Sequence, residues 1–256
     1  MTQEQRVDFM IRYLLNERKE YQDIPLPSLL TEKRRLLRSL MNLRPPLPVS
    51  TEFLNVQGTY LEERLIERGV VSLKDLTPVQ PGLYLWQGDI TTLATDAIVN
   101  AANSQMLGCF IPCHGCIDNA IHTYAGIQLR LECARIMAGQ KEAEATGKAK
   151  ITKAYHLPCR YVLHTVGPII YGTVTQVDCE LLASCYRSCL DLAEANGLRS
   201  VAFCCISTGE FHFPHALAAE IAIRTVQTWQ QQNPSRIEVI FNVFKDNDYA
   251  IYEHLL

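Results

Sequence analysis

Asp96-Ala97-Ile98-Val99-Asn100-Ala101-Ala102-Asn103-Ser104 reads as an apolar strand that runs into two asparagines flanking two alanines. Outward from it, the same texture repeats. Short apolar strands are predicted at 83–87, 96–101, 150–157, 161–166, 200–206 and 237–244. They alternate with amphipathic helices over 116–138, 178–196, 214–232 and 248–255. Strands alternating with helices argue for a sheet covered on both faces, a three-layer α/β/α domain over residues 82–256. Ligands in such folds bind beyond the carboxyl ends of the strands, where loops meet helix N-termini. No internal repeat or low-complexity stretch interrupts the pattern.

Residues 1–80 have a different character, helices punctuated by proline. Val7, Met10, Ile11 and Leu14 recur at helical spacing, with a stop expected by Pro25 and Pro27. A second helix is expected from Ser28 as N-cap, turning Leu36, Leu37, Leu40 and Met41 inward until Pro45 ends it. A third is expected from Thr51 to Arg68, with Leu54, Leu61 and Leu65 on one face and Gly69 after it. No chemistry is visible in this helical extension; shielding a sheet edge is the simpler role, partner recognition the other.

Composition narrows the function classes. The chain has 256 residues, 48% hydrophobic and 20% charged, the balance of a soluble globular protein. A net charge of −3 supplies no global basic field, so nucleic acid is a poor partner. The first residues lack the layout of a signal peptide, and no apolar run approaches the roughly 18 residues of a membrane helix. A cytoplasmic monomer is expected. Of ten cysteines, seven (133, 159, 179, 185, 189, 204, 205) sit among apolar neighbours and are expected in the core.

Three motifs fall at strand-to-loop junctions. Gln87-Gly88-Asp89-Ile90-Thr91 follows the first strand; on its own it is turn chemistry, and in a site Asp89 would accept from an exocyclic amine. In the Asn-Ala-Ala-Asn segment the small residues admit a ligand to the backbone, while an amide side chain both donates to and accepts from ribose hydroxyls. Cys204-Cys205-Ile206-Ser207-Thr208-Gly209-Glu210-Phe211 breaks from a strand just before a helix, where successive amides form an anion cradle suited to a diphosphate, or an ordinary turn.

In this order the three motifs resemble those of the macrodomain family, the ADP-ribose-binding module, over about residues 83–256. The resemblance implies an α/β/α fold with a mixed central sheet. It also implies that Asp89 and Ile90 hold adenine, Asn103 the distal ribose, and Ser207, Thr208, Gly209, Glu210 and Phe211 the diphosphate and distal ribose. Phe244 is the candidate to stack on adenine.

One segment departs from the common pattern. Hydrolytic macrodomains usually carry a glycine run after the asparagines; here the chain reads Gly108-Cys109-Phe110-Ile111-Pro112-Cys113-His114-Gly115-Cys116-Ile117-Asp118. Three thiols and an imidazole in a loop are soft-ligand chemistry. A disulfide, buried apolar thiols and a closed structural Cys3His site compete with an open catalytic zinc site. The segment resembles the zinc-dependent branch of the family, which implies one zinc per chain held by Cys109, His114 and Cys116. Cys113 is the doubtful member, because adjacent residues on an extended loop point apart. Asp118 and Asn103 are the catalytic candidates. His122, one helical turn beyond Asp118, is set aside as a packing residue.

The resemblance implies a hydrolase removing mono-ADP-ribose from proteins, from acidic side chains through an ester-like bond at C1″. A non-catalytic ADP-ribose reader and an O-acetyl-ADP-ribose deacetylase are the alternatives. The branch is associated with microbial operons that encode a sirtuin-type ADP-ribosyltransferase and a lipoylated carrier protein, so a modified carrier is the implied substrate.

Overall fold

The apolar runs of the sequence become the middle of a sheet, where both faces are covered and polar alternation is lost. The computed structural model describes residues 1–233 and 237–256. Three helices come first: α1 (Gln3–Asn16), α2 (Leu30–Leu43) and α3 (Thr51–Arg68). The rest of the chain carries β1 (Val71–Ser72), β2 (Pro78–Gln80), β3 (Leu83–Gln87), β4 (Leu93–Ala94), β5 (Ala97–Ala101), α4 (Ile117–Ala125), α5 (Ile127–Gln140), β6 (Ala149–Lys153) and β7 (Tyr161–Thr165). It ends with α6 (Gln176–Ala195), β8 (Ser200–Phe203), α7 (His215–Gln232), β9 (Glu238–Val243) and α8 (Asp246–Leu255).

The main sheet has the order β2-β3-β9-β8-β5-β7-β6. Its inner pairs are parallel; the outermost, β2 with β3 and β6 with β7, are antiparallel. β1 and β4 form a separate parallel pair. Helices α4 and α5 pack on β5 and β6, while α6, α7 and α8 form a second group against β6, β7, β3 and β9. This is the expected three-layer α/β/α arrangement with a mixed sheet. Ile98, Val99, Val162, Val201 and Ile240 are fully buried at its centre. Among the described residues no helix is long and apolar enough to cross a membrane.

Several local expectations need correction. The helix expected over 116–138 is two helices, split at Gly126 (φ +90°), a conformation that a side chain resists. A Cβ there would also come within 2.7 Å of Gln57 Nε2, so the break is where α3 approaches. The strand expected over 150–157 ends at Lys153, because the chain turns through Tyr155 (φ +56°) and Ala154 N–H donates to Arg160 O to close the connection to β7. α1 stops at Asn16, well before the prolines. α2 starts after Leu29, with no side-chain cap, rather than at Ser28. Cys179 and Cys205 are half-buried, whereas the other five scattered cysteines are buried.

The helical extension has its own core. Val7, Met10, Ile11, Leu37, Phe53 and Leu61 pack together with Ile127 of α5. α3 spans Thr51–Arg68 with Gly69 after it, as expected, and Ser50 Oγ caps its start by accepting from Phe53 N–H at 3.1 Å. The last residues of the extension, β2, form one edge of the main sheet, while its helix α2 packs against α4, beside the loop that carries the thiols.

Candidate active site

β5, β8 and β9 deliver their carboxyl ends to one open cleft of about 820 Å³, a volume suited to a nucleotide-sized ligand. Asp89, Ile90, Asn103, Cys109, His114, Cys116, Asp118, Ser207, Thr208, Gly209, Glu210, Phe211 and Phe244 all line it. Every candidate named from the sequence therefore meets in one place.

Asp89 caps the turn after β3, its Oδ1 accepting from Thr91 N–H at 3.0 Å. Its Oδ2 accepts from Arg68 Nη1 at 2.9 Å, and the Arg68 guanidinium lies 3.6 Å above the Tyr124 ring. A carboxylate has about four lone-pair directions, so acceptor capacity is left for a ligand. Ile90 is 1% exposed and forms the floor beside it. Phe244, just past β9, is 74% exposed at the cleft, the reverse of a core aromatic.

The segment after β8 turns sharply at Ser207 (φ +65°), and Phe213 N–H donates to Ser207 O at 2.9 Å. Ser207 Oγ is buried without a hydrogen-bond partner among the described residues. An unpaired buried hydroxyl is costly, so a polar ligand in this cradle would relieve it.

The thiol loop converges. One donor atom each from Cys109, His114 and Cys116 lies within 4.8 Å of the others, and Cys109 Sγ is 3.6 Å from His114 Nδ1. His114 Nε2 faces Glu210 Oε1 at 3.5 Å, which ties the thiol loop to the segment after β8. Cys116 is the N-cap of α4, its sulfur accepting from Asn119 N–H. Burial pushes its thiol up, a penalty that a cation beside it would remove. Cys113 sits at a sharp turn (φ +52°) that sends its thiol away to α2, 3.3 Å from Ser39 Oγ. It is outside the trio. The residues present fit a thiophilic ion with three protein ligands and a side open to the cleft.

Asp118, in the first turn of α4, is 5% exposed. Its Oδ1 accepts from Asn100 Nδ2 at 2.8 Å and its Oδ2 from Asn103 Nδ2 at 3.4 Å. Burial raises its carboxyl to about 6, against the Asn100 hydrogen bond and the Arg130 charge, which lower it. Asn103 also donates to Gly108 O and accepts from Gln105 N–H, so it shapes the turn into the thiol loop as well as facing the cleft.

Sequence reasoning missed three side chains here. Asn100 is fully buried beneath Asp118; the motif displayed it, but nothing local distinguished it from Asn103. His122, set aside as a packing residue, is 3.5 Å from Asp118 Oδ1. Arg130 is buried and donates to carbonyls from residues 41 to 109, a role with no local signal. Burial lowers Arg130 to about 10, so it stays charged at neutral pH.

A second trio, His122, Cys133 and His164, also brings donor atoms within 4.8 Å. His164 is already committed. Asn100 Nδ2 donates to its Nδ1 at 3.1 Å, so Nε2–H donates to Thr152 Oγ1 at 2.9 Å and keeps no lone pair for a cation. This trio is a polar core under Asp118.

A sheet of this order, with a nucleotide-sized cleft between the Asn-Ala-Ala-Asn turn and the loop after β8, defines a macrodomain. The Macro domain family model matches residues 99–222, and the chain belongs to that family. The protein-ADP-ribose hydrolase of Treponema medium is 55% identical over 260 aligned residues, covering all of both chains. The protein-ADP-ribose hydrolase of Staphylococcus aureus strain MSSA476 is 49% identical, covering 97% of this chain and 94% of its own. Among solved structures, the Trypanosoma brucei macrodomain in complex with ADP-ribose aligns with a TM-score of 0.67 at 34% identity, over 85% of this chain and 94% of that one.

Proposed function

We propose that this protein hydrolyses mono-ADP-ribose from modified proteins, at an ester between C1″ of the distal ribose and an acidic side chain, with zinc held by Cys109, His114 and Cys116. The observation that carries the reading is the convergence of those three donors beside a buried carboxylate, on the wall of one nucleotide-sized cleft. The names of the Treponema and Staphylococcus relatives and the ligand of the Trypanosoma structure support the same substrate class. A protein that only bound ADP-ribose would have no use for such a trio.

The chain's own residues perform the positioning. Asp89 accepts from the adenine amine, and Phe244 covers the base. The turn through Ser207, Thr208 and Gly209 presents amides to the diphosphate, with Ser207 Oγ gaining the partner it lacks. Phe211 packs on the distal ribose, and Asn103 hydrogen-bonds its hydroxyls. A ligand so fixed has its scissile bond against the trio, and this orientation is itself a large part of the catalysis. Zinc, when bound, supplies Lewis acidity and lowers the pKa of water toward about 7. Asp118, held in place by Asn100, accepts the proton of the attacking water and is mostly ionised at neutral pH. By resemblance, a modified lipoylated carrier protein is the candidate substrate.

The test combines elemental analysis of protein purified without added metal with ADP-ribose release from a carboxylate-modified protein before and after chelation. One zinc per chain, with activity lost on chelation and restored by zinc, is the expected outcome. Full activity without metal would refute the metal-assisted reading, and absence of release from any mono-ADP-ribosylated protein would refute the hydrolase reading.

A further inference from the structure

The segment from Leu107 to Cys116 has no helix or strand of its own. Three donors on such a loop converge only if its backbone is held, and much of the hold comes from outside the residues matched by the family model. Arg38 of α2 donates through Nε (3.2 Å) and Nη2 (2.7 Å) to Asn119 Oδ1. Its Nη2 also donates to the carbonyl of His114 at 3.2 Å. Asn119 passes the hold on, donating its Nδ2 to Ile111 O at 2.9 Å. One helical turn further along α2, Asn42 Oδ1 accepts from Cys113 N–H at 2.9 Å while its Nδ2 donates to Thr123 at 3.1 Å. The start of the loop is tied to the same helix. Arg130 donates to Leu107 O at 2.6 Å and to the carbonyls of Met41, Asn42 and Arg44 at the end of α2, at 3.1, 2.8 and 2.6 Å.

We propose that Arg38 is a positioning residue for the metal ligands: its guanidinium, projected from the helical extension, fixes the His114 carbonyl and, through Asn119, the Ile111 carbonyl, so that Cys109, His114 and Cys116 converge. This inference rests on the reading that the trio holds a metal. It makes the extension a structural half of the active site. The chemistry calls for arginine, because a planar fork reaches two acceptors in fixed directions, whereas a lysine ammonium is a single point of charge. Groups that orient metal ligands from outside the coordination sphere are typically worth 10–100-fold in affinity.

The experiment uses the full chain as wild type, Arg38→Met and Arg38→Lys. Zinc affinity is measured by competition with a chromophoric chelator, ligand geometry by the visible absorption of the cobalt form, and ADP-ribose affinity by calorimetry. Expected are zinc binding about tenfold weaker or more in both variants, altered cobalt absorption and a lower kcat. Because Arg38 also lines the cleft, ADP-ribose affinity is compared in the metal-free proteins, where its loss should be smaller than the loss of zinc affinity. Failure of Arg38→Lys to rescue separates the fork from the charge. Wild-type zinc affinity and an unaltered cobalt spectrum in Arg38→Met would overturn the inference, whatever its melting temperature. If Arg38→Met does not fold, the same readouts on Arg38→Lys decide. A wild-type protein that binds neither zinc nor cobalt would overturn the metal reading itself, and this inference with it.

Discussion

At the residue scale, Asp118 carries the largest consequence. The end of β5, through Asn100 and Asn103, and the next turn of α4, through His122, come within 3.5 Å of its one carboxyl group. Replacing it by alanine removes a proton acceptor and one hydrogen-bond partner of Asn103, but leaves Asp89, the Ser207 turn and Phe244 in place around the nucleotide. The Asp118→Ala protein is expected to lose about 10²–10⁴-fold in single-turnover release of ADP-ribose. Its calorimetric affinity for free ADP-ribose should stay within about threefold of wild type. Hydrolysis at the wild-type rate would remove Asp118 from the mechanism. Gly108 illustrates a finer constraint: at φ +80°, an added Cβ would lie 2.7 Å from the His122 ring. The glycine lets the loop start directly over the buried histidine. In the sequence it reads as no more than a turn residue.

At the scale of elements, some helix ends rest on local caps and others on tertiary contacts, and even a local one was missed: α6 begins at Gln176, two residues before the expected 178. α6 carries a reciprocal cap: Thr175 Oγ1 accepts from Asp178 N–H, while Thr175 N–H donates to the Asp178 carboxylate. Thr175→Ala is expected to cost about 1 kcal/mol in urea unfolding and to leave ADP-ribose release unchanged, because this end of α6 does not line the cleft. A loss of activity in that variant would tie α6 to the site in a way the contacts do not suggest. The single helix expected over 116–138 failed for a tertiary reason. Its apolar period continues through Gly126, and only the packing of Gln57 from α3 makes the break there advantageous, with Gln57 Oε1 accepting from Ile127 N–H at 3.0 Å. Likewise α2 starts without a side-chain cap because its position is set by the core that it shares with α1 and α3.

For the whole molecule, the buried ionisable groups set the response to acid. Burial depresses His164 to about 3 and His122 well below the ordinary histidine range, and His156 is lowered too. Above pH about 6.5 these imidazoles are neutral in both folded and unfolded chains. As pH falls below that value, the unfolded chain takes up protons that the folded chain refuses, so stability is lost. Asp118 acts with the opposite sign: its raised carboxyl takes a proton in the fold at about 6, before the unfolded chain does. With His122 and His164 against Asp118, about one net proton favours unfolding between roughly pH 6 and 4, a slope of about 1.4 kcal/mol per pH unit to which His156 adds. Urea midpoints at pH 7.5, 6 and 5 should therefore decline, and His164→Gln should flatten the decline. A midpoint that holds or rises toward pH 5 would contradict this account.

The sequence by itself determined the class of fold, the family and the loops that carry the chemistry. Those depend on local signals: the apolar runs of β5, β7, β8 and β9, the turns after β3, β5 and β8, and three soft donors within eight residues of one loop. Tertiary structure decided what surrounds them. It turned the chain at Cys113 so that this thiol faces α2, buried Asp118 against Asn100, and packed α2 of the extension against α4. Those outcomes rest on contacts between residues far apart in the chain, such as Arg38 with Asn119 and Arg130 with Met41. The period of a helix states which of its faces is apolar, and it is the packing of the whole that states what that face and its polar neighbours meet.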